Sequence, residues 1–368
     1  MKVGNARFCI SPKKEFYMIG YRSKNREYPA KGIHDDIYCN SLLFECNGRN
    51  VFIFSADFLE FEEEMAEDVK TILQEKYGIE RDFVLLSATH NHSSVVSYHR
   101  SWYTGKFDQE YYDFLIKIII ESYKVCQENM VEATAKYGKE VILGYYGNRN
   151  HPGQPADNEV IVVKFYDEKN KPFAGIVNWA VHSTVISSEN DLLTSELAGE
   201  VSKKLFNEFG FYPAMVIGAA GDCSNRNERQ GNDFEELERV STALAKKIGM
   251  IETMEDIELG DVTYQSIYHT IHHDSFHLDA KFQVINIGNL QLFVFPGELG
   301  SKFGVELKDK CSTLGLVLGY TNGYYKYFMP EEEYGLSFET TTSQIPKGEP
   351  EKVIHKLIQA AHYLNNCK

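Results

Sequence analysis

The chain has 368 residues, of which 43% are hydrophobic and 25% are charged, enough apolar material for a sizeable core. Its formal net charge of −15 argues against nucleic acid as the main partner, because phosphate binding requires an electropositive surface. The same charge argues against docking on an anionic membrane, and no segment reaches the ~18 uninterrupted apolar residues of a membrane span.

Predicted strands and helices alternate along the chain without strict βαβ regularity. In chain order they are strands 37–46 and 50–58, helix 60–77, strand 83–88, helix 108–130, strands 159–168 and 172–182, helix 196–209, strand 214–221, helix 234–248, a hairpin at 282–296, strand 312–322 and helix 350–364. This order predicts an α/β fold with mixed β-sheets flanked by α-helices. Because we find no repeat and no long linker, we expect a single compact domain over residues 1–368.

The cysteines and the N-terminal residues allow a prediction of the cellular compartment. The seven cysteines are scattered and form no CxxC pair, which is typical of buried thiols in a reducing environment. The opening residues lack the apolar stretch of roughly 7–15 residues found in a secretory signal peptide. We therefore expect a cytoplasmic protein without stable membrane insertion, and the sequence carries no indication of its oligomeric state.

Residues that could bind a metal ion follow four predicted apolar strands. His90 and His92 follow "FVLLSA", and His182 follows "GIVNWAV". Glu298 lies in "FVFPGEL", and the tyrosine-rich segment "TNGYYKYF" follows "LGLVLG". Strand ends are where a sheet presents side chains to a site, and zinc accepts histidine nitrogen and carboxylate oxygen. The pattern fits a metal site, but it also fits ordinary hydrogen-bonded residues at strand ends.

Other segments compete as sites. "YHTIHHD" (268–274) distributes histidines over both faces of a strand and fits either a metal site or a solvated strand edge. His151 lies in a turn and leaves both possibilities open. "GAAGDCSNRN" (218–227) either lets backbone N–H groups approach a ligand or forms a tight turn, and it is neither a P-loop nor a GxSxG motif. Cys223 is expected to be buried rather than nucleophilic.

The order of these segments resembles one known family. "LLSATHNHSS", "NRNHP", "VNWAVHST", "GAAGDCSN", "FPGEL" and "GYTNGYYKYF" follow one another as in the neutral/alkaline ceramidase family, specifically its N-terminal zinc-amidase domain. The opening "ISP…GIHDDIYCNSLLFE…FSADFLE" is similar to the start of that domain. The resemblance covers nearly the whole chain and implies a zinc-dependent hydrolase of a linear amide, an N-acyl amine.

The resemblance implies four zinc ligands. They are the first histidine of "ATHxHS", the histidine that closes "VNWxxVH", the glutamate of "PGE" and the second tyrosine of the Asn-x-Tyr-x-x-Tyr pattern. These positions are His90, His182, Glu298 and Tyr327, with Tyr324 as the alternative tyrosine. Zinc would polarise the substrate carbonyl and lower the pKa of its bound water to ~7.

The resemblance also implies residues that act on the substrate. His92 would lie beside the zinc-bound water and would serve as the general base and acid. The other implied site residues are Arg149 and Ser224 as catalytic residues, and Asp222, Tyr324 and Phe338 as substrate-binding residues. Asp57, at the end of a predicted strand, is expected either to orient a ligand histidine or to cap the strand.

The chain departs from the family pattern in two ways. A tyrosine of the family, whose hydroxyl can steady the oxyanion, corresponds here to Phe338. The secretion signal and the C-terminal immunoglobulin-like domain of true ceramidases have no expected counterpart. We therefore expect a soluble or short-chain N-acyl amide substrate, in a pocket lined by aromatic residues such as Trp102, Tyr145, Tyr146 and Phe338. The alternatives are a metal-dependent phosphoesterase and a degenerate member that binds a ligand without catalysis.

Overall fold

The structure is a computed structural model that describes residues 1–100, 105–253, 255–273, 276–311 and 313–366. The helices of these residues are α1 (Glu63–Tyr77), α2 (Gln109–Glu128), α3 (Glu196–Phe209), α4 (Phe234–Gly249), α5 (Ser301–Lys310), α6 (Phe338–Thr342) and α7 (Glu349–Asn366). Short 3₁₀ helices cover Lys24–Glu27, Arg81–Phe83 and Glu331–Glu333.

The strands follow the same numbering along the chain. The first ten are β1 (Lys2–Cys9), β2 (Gly32–Ile33), β3 (Tyr38–Cys46), β4 (Arg49–Ala56), β5 (Val84–Ala88), β6 (Val131–Glu132), β7 (Thr134–Val141), β8 (Gly147–Asn148), β9 (Glu159–Tyr166) and β10 (Pro172–Trp179). The others are β11 (Leu192–Leu193), β12 (Ala214–Ile217), β13 (Cys223–Ser224), β14 (Glu255–Ile257), β15 (Val262–His273), β16 (Phe276–Ile287), β17 (Leu290–Val294), β18 (Glu298–Leu299), β19 (Leu314–Leu318) and β20 (Tyr327–Phe328).

Three larger sheets organise the fold, with strand orders β5-β4-β3-β1-β6, β12-β10-β9-β7-β14 and β15-β16-β17-β19. Each sheet is antiparallel except for one parallel pair at one edge: β4 with β5, β10 with β12, and β17 with β19. Two-residue strands add the pairs β2–β11, β8–β13 and β18–β20. The predicted α/β fold with mixed sheets is therefore confirmed.

The parallel edges of the three sheets meet one another. After β19, the Gly319 N–H donates to the Ile217 carbonyl at the end of β12, at 2.8 Å. A few residues later, the Asn322 N–H donates to the Leu86 carbonyl in β5, at 2.9 Å. The carboxyl ends of β5, β12 and β19 are thereby joined directly, which gathers the loops that follow them on one side of the molecule.

The helices cover the sheets with their apolar faces. In α2 the buried residues Tyr111, Leu115, Ile119 and Tyr123 recur every four positions, and this face packs on β1 and β3. Asp108 is the N-cap of this helix, and its side chain accepts hydrogen bonds from the backbone N–H groups of Glu110 and Tyr111. Helix α3 packs on α4 and β12, whereas α7 covers β15 and β16. In the part of the chain that the structure describes, none of the helices has the length and apolar character needed to cross a membrane.

The sheets enclose two hydrophobic clusters. The larger cluster lies between the first two sheets, where the rings of Phe44 and Phe165 approach to 5.3 Å and the Ser55 hydroxyl donates to the Met215 carbonyl at 2.6 Å. The smaller cluster joins the third sheet to α5 and α7. Four cysteines are buried as expected, but Cys9 is exposed.

Candidate metal centre

Two imidazoles are oriented by backbone carbonyls. His90 follows β5, and its Nδ1 lies 2.9 Å from the Leu59 carbonyl oxygen. His182 follows β10, and its Nδ1 lies 2.7 Å from the Ala220 oxygen and 3.1 Å from the Cys223 oxygen. Because a carbonyl can only accept, each Nδ1 carries the proton and each Nε2 keeps its lone pair. This is the state in which a histidine binds a metal ion.

Asn91, between the two histidines of the "THNH" turn, holds that turn in place. Its side chain is fully buried and donates to the Thr194 carbonyl at 2.7 Å, while its amide oxygen accepts from the Ser93 N–H at 2.7 Å. These bonds fix a backbone in which His90 has φ +55°, a left-handed conformation that non-glycine residues seldom adopt. Strain of this kind persists only where its surroundings impose it.

Asp57 does not orient a ligand histidine. Its carboxylate accepts from the Tyr38 N–H at 2.9 Å and from the Thr89 hydroxyl at 3.4 Å. Since the His90 Nδ1 is bound to Leu59, the prediction that Asp57 orients a ligand is wrong for this histidine, and Asp57 braces the strand end instead.

Glu298 supplies an oxygen between the two imidazoles. Its Oε2 lies 3.0 Å from the His182 Nε2 and 3.5 Å from the His90 Nε2. The Tyr324 hydroxyl donates to the other oxygen, and the Tyr320 ring stacks on His90 with ring centroids 4.0 Å apart. Burial opposes ionisation of Glu298, whereas positive charge beside it, on a protonated imidazole or on a metal ion in its place, lowers the pKa of this carboxyl well below its usual range.

The imidazoles of His92 and His182 are neutral near pH 7. Burial, with the charge of Arg149, lowers the pKa of His182 to about 4, and burial lowers the pKa of His92 well below its usual value. The ligand nitrogens of His90, His92 and His182 lie within 4.8 Å of one another, and the His182 Nε2 has no hydrogen-bond partner among the described residues. A buried carboxylate among neutral nitrogen donors requires a cation, so these residues fit a transition-metal ion.

His92 faces the same centre from the other side. Its Nε2 lies 3.1 Å from the His90 Nε2, whereas its buried Nδ1 has no hydrogen-bond partner in the described ranges. The backbone is clamped instead, since the His92 N–H donates to the Ser183 carbonyl at 3.2 Å and the His92 carbonyl accepts from Arg26 at 3.3 Å. The Tyr21 ring packs on the imidazole with centroids 5.0 Å apart. Packing therefore orients this ring.

An N-terminal strap, residues 17–29, covers His92. The Ile19 N–H donates to the Ser94 carbonyl at 3.0 Å, and the Tyr21 hydroxyl donates to the Ile186 carbonyl at 3.1 Å. Gly20 lies between these two bonds with φ +107°, and a Cβ at this position would meet the His92 Cα at 2.5 Å. Only glycine allows the strap to approach the histidine this closely.

Arg149 is held by a carboxylate that the sequence reasoning missed. Its Nε donates to the Glu339 carboxylate at 2.6 Å, and its Nη2 donates to the Gly221 carbonyl at 2.8 Å and to the Tyr327 hydroxyl at 3.3 Å. Asn150 donates to the second oxygen of Glu339 at 2.8 Å. Both partners are buried, so this network joins the predicted substrate-orienting arginine to the predicted ligand tyrosine. The only indication in the sequence was that Glu339 follows Phe338 in the matched motif.

In the "GDCS" turn, the Asp222 side chain is held by hydrogen bonds within the protein. Its carboxylate accepts from the Ser301 N–H at 2.7 Å, from the Ser301 hydroxyl at 2.9 Å and from Asn148 at 3.3 Å. This carboxylate is buried and joins α5 to the turn, and the role of Asp222 in binding substrate stays a prediction. The Ser224 hydroxyl is also buried and accepts from the Arg226 N–H at 3.2 Å. The catalytic role of Ser224 stays a prediction.

The predicted aromatic lining is only partly present. Phe338 is 63% exposed on α6, beside the buried Glu339. Tyr146 is instead a core residue whose ring packs edge-on against Trp179 at 6.3 Å, so its predicted place in a pocket is wrong. Trp102 lies outside the described residues.

The competing histidines His269 and His151 contact glutamates instead. The His269 Nε2 lies 2.7 Å from a Glu349 carboxylate oxygen, and the His151 Nε2 lies 2.9 Å from Glu333. Within the described ranges, the group made by His90, His92 and His182 is the one in which three such donors converge.

Comparison with known sequences places the chain in the family that its motifs resemble. The family described as neutral/alkaline non-lysosomal ceramidase, N-terminal, matches residues 2–210. Neutral ceramidase of Pseudomonas aeruginosa is 23% identical over 303 residues, which cover 76% of this chain and 43% of that protein. Neutral ceramidase of Drosophila melanogaster is 25% identical over 230 residues, which cover 56% of this chain and 32% of that protein. The matched region thus spans less than half the length of these curated relatives.

Solved structures share the fold at low sequence identity. A structure described as ceramidase complexed with C2 superposes with a TM-score of 0.84 and 17% identity, covering 99% of this chain and 75% of that chain. The crystal structure of neutral ceramidase from Pseudomonas aeruginosa superposes with a TM-score of 0.83 and 18% identity, covering 99% of this chain and 74% of that chain.

Proposed function

The chain belongs to the neutral/alkaline non-lysosomal ceramidase family, and from this premise we propose that it is a zinc-dependent hydrolase of linear amides. The observation that carries the proposal is the convergence of two imidazole nitrogens, each with its lone pair free, on one ionised carboxylate. Two nitrogens and one oxygen with an open position are typical of catalytic zinc sites in hydrolases.

In this proposal the ligands are His90, His182 and Glu298, with Tyr327 as the fourth. The Tyr324 hydroxyl is committed to Glu298, which favours Tyr327 as the ligand. Burial and the charge of Glu298 raise the pKa of the Tyr327 hydroxyl, and the hydrogen bond that this hydroxyl accepts from the Arg149 guanidinium opposes the rise. Zinc at this position supplies Lewis acidity and lowers the pKa of its bound water to ~7.

His92 is proposed as the proton carrier. Its neutral Nε2 faces the ligand cluster and can take a proton from the attacking water. As the water oxygen bonds to the amide carbon and the C–N bond breaks, the same imidazole returns the proton to the leaving nitrogen. Atoms therefore balance as amide plus water giving carboxylic acid plus amine.

Arg149 is proposed to orient the substrate. Its Nε and Nη2 are engaged by Glu339, Gly221 and Tyr327, which fixes the guanidinium plane and leaves Nη1 for the substrate oxygen. In the family, a tyrosine hydroxyl donates to the oxyanion, and this tyrosine is replaced by Phe338 here. The Arg149 guanidinium would therefore stabilise the oxyanion in its place.

The two alternatives have less support. A two-metal phosphoesterase would need further free carboxylates, but Asp57 and Asp222 are both committed to hydrogen bonds. A degenerate binding protein would not need the complete set formed by His90, His92, His182 and Glu298. A soluble or short-chain N-acyl amide remains our proposed substrate, and a cytoplasmic location remains a proposal too.

Metal analysis of purified variants, paired with turnover of an N-acyl amine, tests the function. We expect about one zinc per chain, lost in His182→Ala. His92→Ala should keep the metal and lose about 10²–10⁴-fold in kcat, the range for a general base. His151→Ala is the matched control, because this histidine pairs with Glu333 away from the cluster. Full zinc occupancy in His182→Ala would refute the ligand assignment.

A further inference from the structure

A turn that follows β13 places an arginine at the edge of the candidate centre. On one side of this turn, the Asn227 side chain donates to the Asn148 carbonyl at 3.1 Å and to the Arg149 carbonyl at 3.4 Å. On its other side, Arg229 donates to the Thr184 carbonyl at 3.1 Å, two residues after His182. The turn therefore bridges the segment that carries the substrate-orienting arginine and the segment that carries a ligand histidine.

Arg226 lies in the middle of this turn. Its side chain is exposed, and among the described residues its guanidinium has no hydrogen-bond or ion-pair partner. Its neighbours are also cationic: Arg149 is paired with Glu339, and Arg229 binds backbone carbonyls. Partial burial and the charges of Arg149 and Arg229 lower the pKa of Arg226, and the charge of Glu339, which is already paired with Arg149, opposes this shift.

The same arginine is close to the strap over His92. Arg229 of the same turn donates to the Thr184 and Val185 carbonyls at 3.1 and 3.2 Å, and the Tyr21 hydroxyl of the strap donates to the next carbonyl, that of Ile186, at 3.1 Å. Since the Tyr21 ring packs on the His92 imidazole, Arg226 lies on the side of the site where His92 acts. His92 is the residue that returns a proton to the leaving nitrogen, so this side receives the amine part of the substrate.

The residue before Arg226 also lacks partners. Asn225 is fully buried, and neither its Nδ2 nor its Oδ1 has a hydrogen-bond partner in the described part of the chain. Leaving a buried amide unsatisfied costs about 1–3 kcal/mol. A buried amide and an unpaired guanidinium next to each other in one turn offer donors and an acceptor for a polar ligand.

The overall charge makes this local arrangement informative. A protein of net charge −15 repels anions overall. An unpaired arginine among other arginines therefore provides a local site that attracts them. Guanidinium groups bind carboxylates through two parallel hydrogen bonds. We propose that the site takes N-acyl amino acids, with the carboxylate of the amino acid bound by Arg226 on the amine side of the scissile bond. This inference rests on the proposed amidase function and deepens it.

The test compares two substrates that differ in one charge, N-hexanoylglycine and N-hexanoylglycinamide. We expect the wild-type protein to hydrolyse the anionic substrate with a kcat/KM about 10- to 100-fold higher, the range for one charge-assisted contact. Arg226→Gln should lower this ratio of the two kcat/KM values by the same factor, and Arg226→Lys should restore part of it. Lys169→Gln, which removes a positive charge from an exposed turn, is the control that should keep the ratio.

Metal content and melting temperature of each variant verify that the protein is folded and loaded. Equal kcat/KM for the two substrates in the wild type would overturn the inference and leave the amidase function standing. An unchanged ratio in a folded Arg226→Gln variant would overturn the assignment to Arg226. Absence of hydrolysis of both substrates by zinc-loaded protein would overturn the proposed function itself.

Discussion

Replacing Gly20 with alanine should displace His92 while leaving the metal ligands in place. The added Cβ would lie 2.5 Å from the His92 Cα, 2.6 Å from its carbonyl oxygen and 2.8 Å from its Cβ. Carbon atoms normally approach to about 3.5–4.0 Å, so the strap and His92 must separate by about 1 Å. A non-glycine residue at φ +107° adds backbone strain.

The expected loss of stability follows from the backbone strain and the steric overlap. Strained backbone costs about 1–3 kcal/mol, and overpacking costs about 1–3 kcal/mol. Together they predict a loss of about 2–6 kcal/mol, which for a chain of this length lowers Tm by about 3–8 °C. A shift of about 1 Å in a catalytic group lowers kcat by about 10²-fold.

Thermal unfolding, zinc content and turnover of an N-acyl amide would be measured side by side. Gly32→Ala is the matched control, because a Cβ there meets its nearest atom at an ordinary 3.6 Å and the backbone needs no left-handed conformation. If Gly20→Ala keeps the Tm and kcat of Gly32→Ala, the close approach of the strap does not position His92, and the reasoning fails.

Two further predictions concern buried charges. Glu339→Gln should lower the free energy of unfolding, measured with urea, by about 3–5 kcal/mol, because it leaves the charge of the buried Arg149 uncompensated. The control Glu332→Gln removes an exposed ion pair and should lower it by at most about 1 kcal/mol. Equal losses in the two variants would contradict the prediction. Burial opposes the charge of His99, but the adjacent carboxylates of Glu60 and Glu62 raise its pKa to about 9. The charged His99 therefore contributes its full stabilisation of the folded protein below pH 6.5, and this contribution is lost as the pH rises to about 9. The free energy of unfolding should fall by about 2–3 kcal/mol over this range in the wild type. The His99→Gln variant should lack this part of the pH dependence. Identical curves of unfolding free energy against pH for the wild type and the variant would refute the prediction.

Elements with a strong local pattern were predictable from the sequence. Helix α3 has the predicted bounds, 196–209, because its apolar period and the αL glycine that ends it are both local features. Strands β1 and β7 were missed because their sequences, "KVGNARFC" and "TAKYGKEV", mix polar and apolar residues, and pairing with neighbouring strands decides their conformation. Helix α5 was missed because Gly304 interrupts its pattern, although packing against Ala219 requires a glycine there.

The candidate site divides in the same way. The strand ends at His90, His182 and Glu298 suggested a site, but the family resemblance was needed to name these residues as ligands. The structure brings the three side chains together, because the parallel edges of the sheets meet. Glu339 was not predictable, since its pairing with Arg149 spans 190 positions and leaves no local pattern. The contact of Asp222 with Ser301 could not be predicted either, because it joins residues 79 positions apart.

The joining of three sheet edges sets the order of events during synthesis. Roughly 240 residues separate His90 from Tyr327, and a ribosome that adds about 5–20 residues per second needs about 12–48 s to make them. Throughout that interval the hydrogen bond from Asn322 to Leu86, which closes the gap between the first and third sheets, does not yet exist. A nascent chain can therefore offer an ion the two histidines of the "THNH" turn and, once it has been made, His182, but neither Glu298 nor Tyr327. Selection of the correct metal must wait until the last quarter of the chain has emerged.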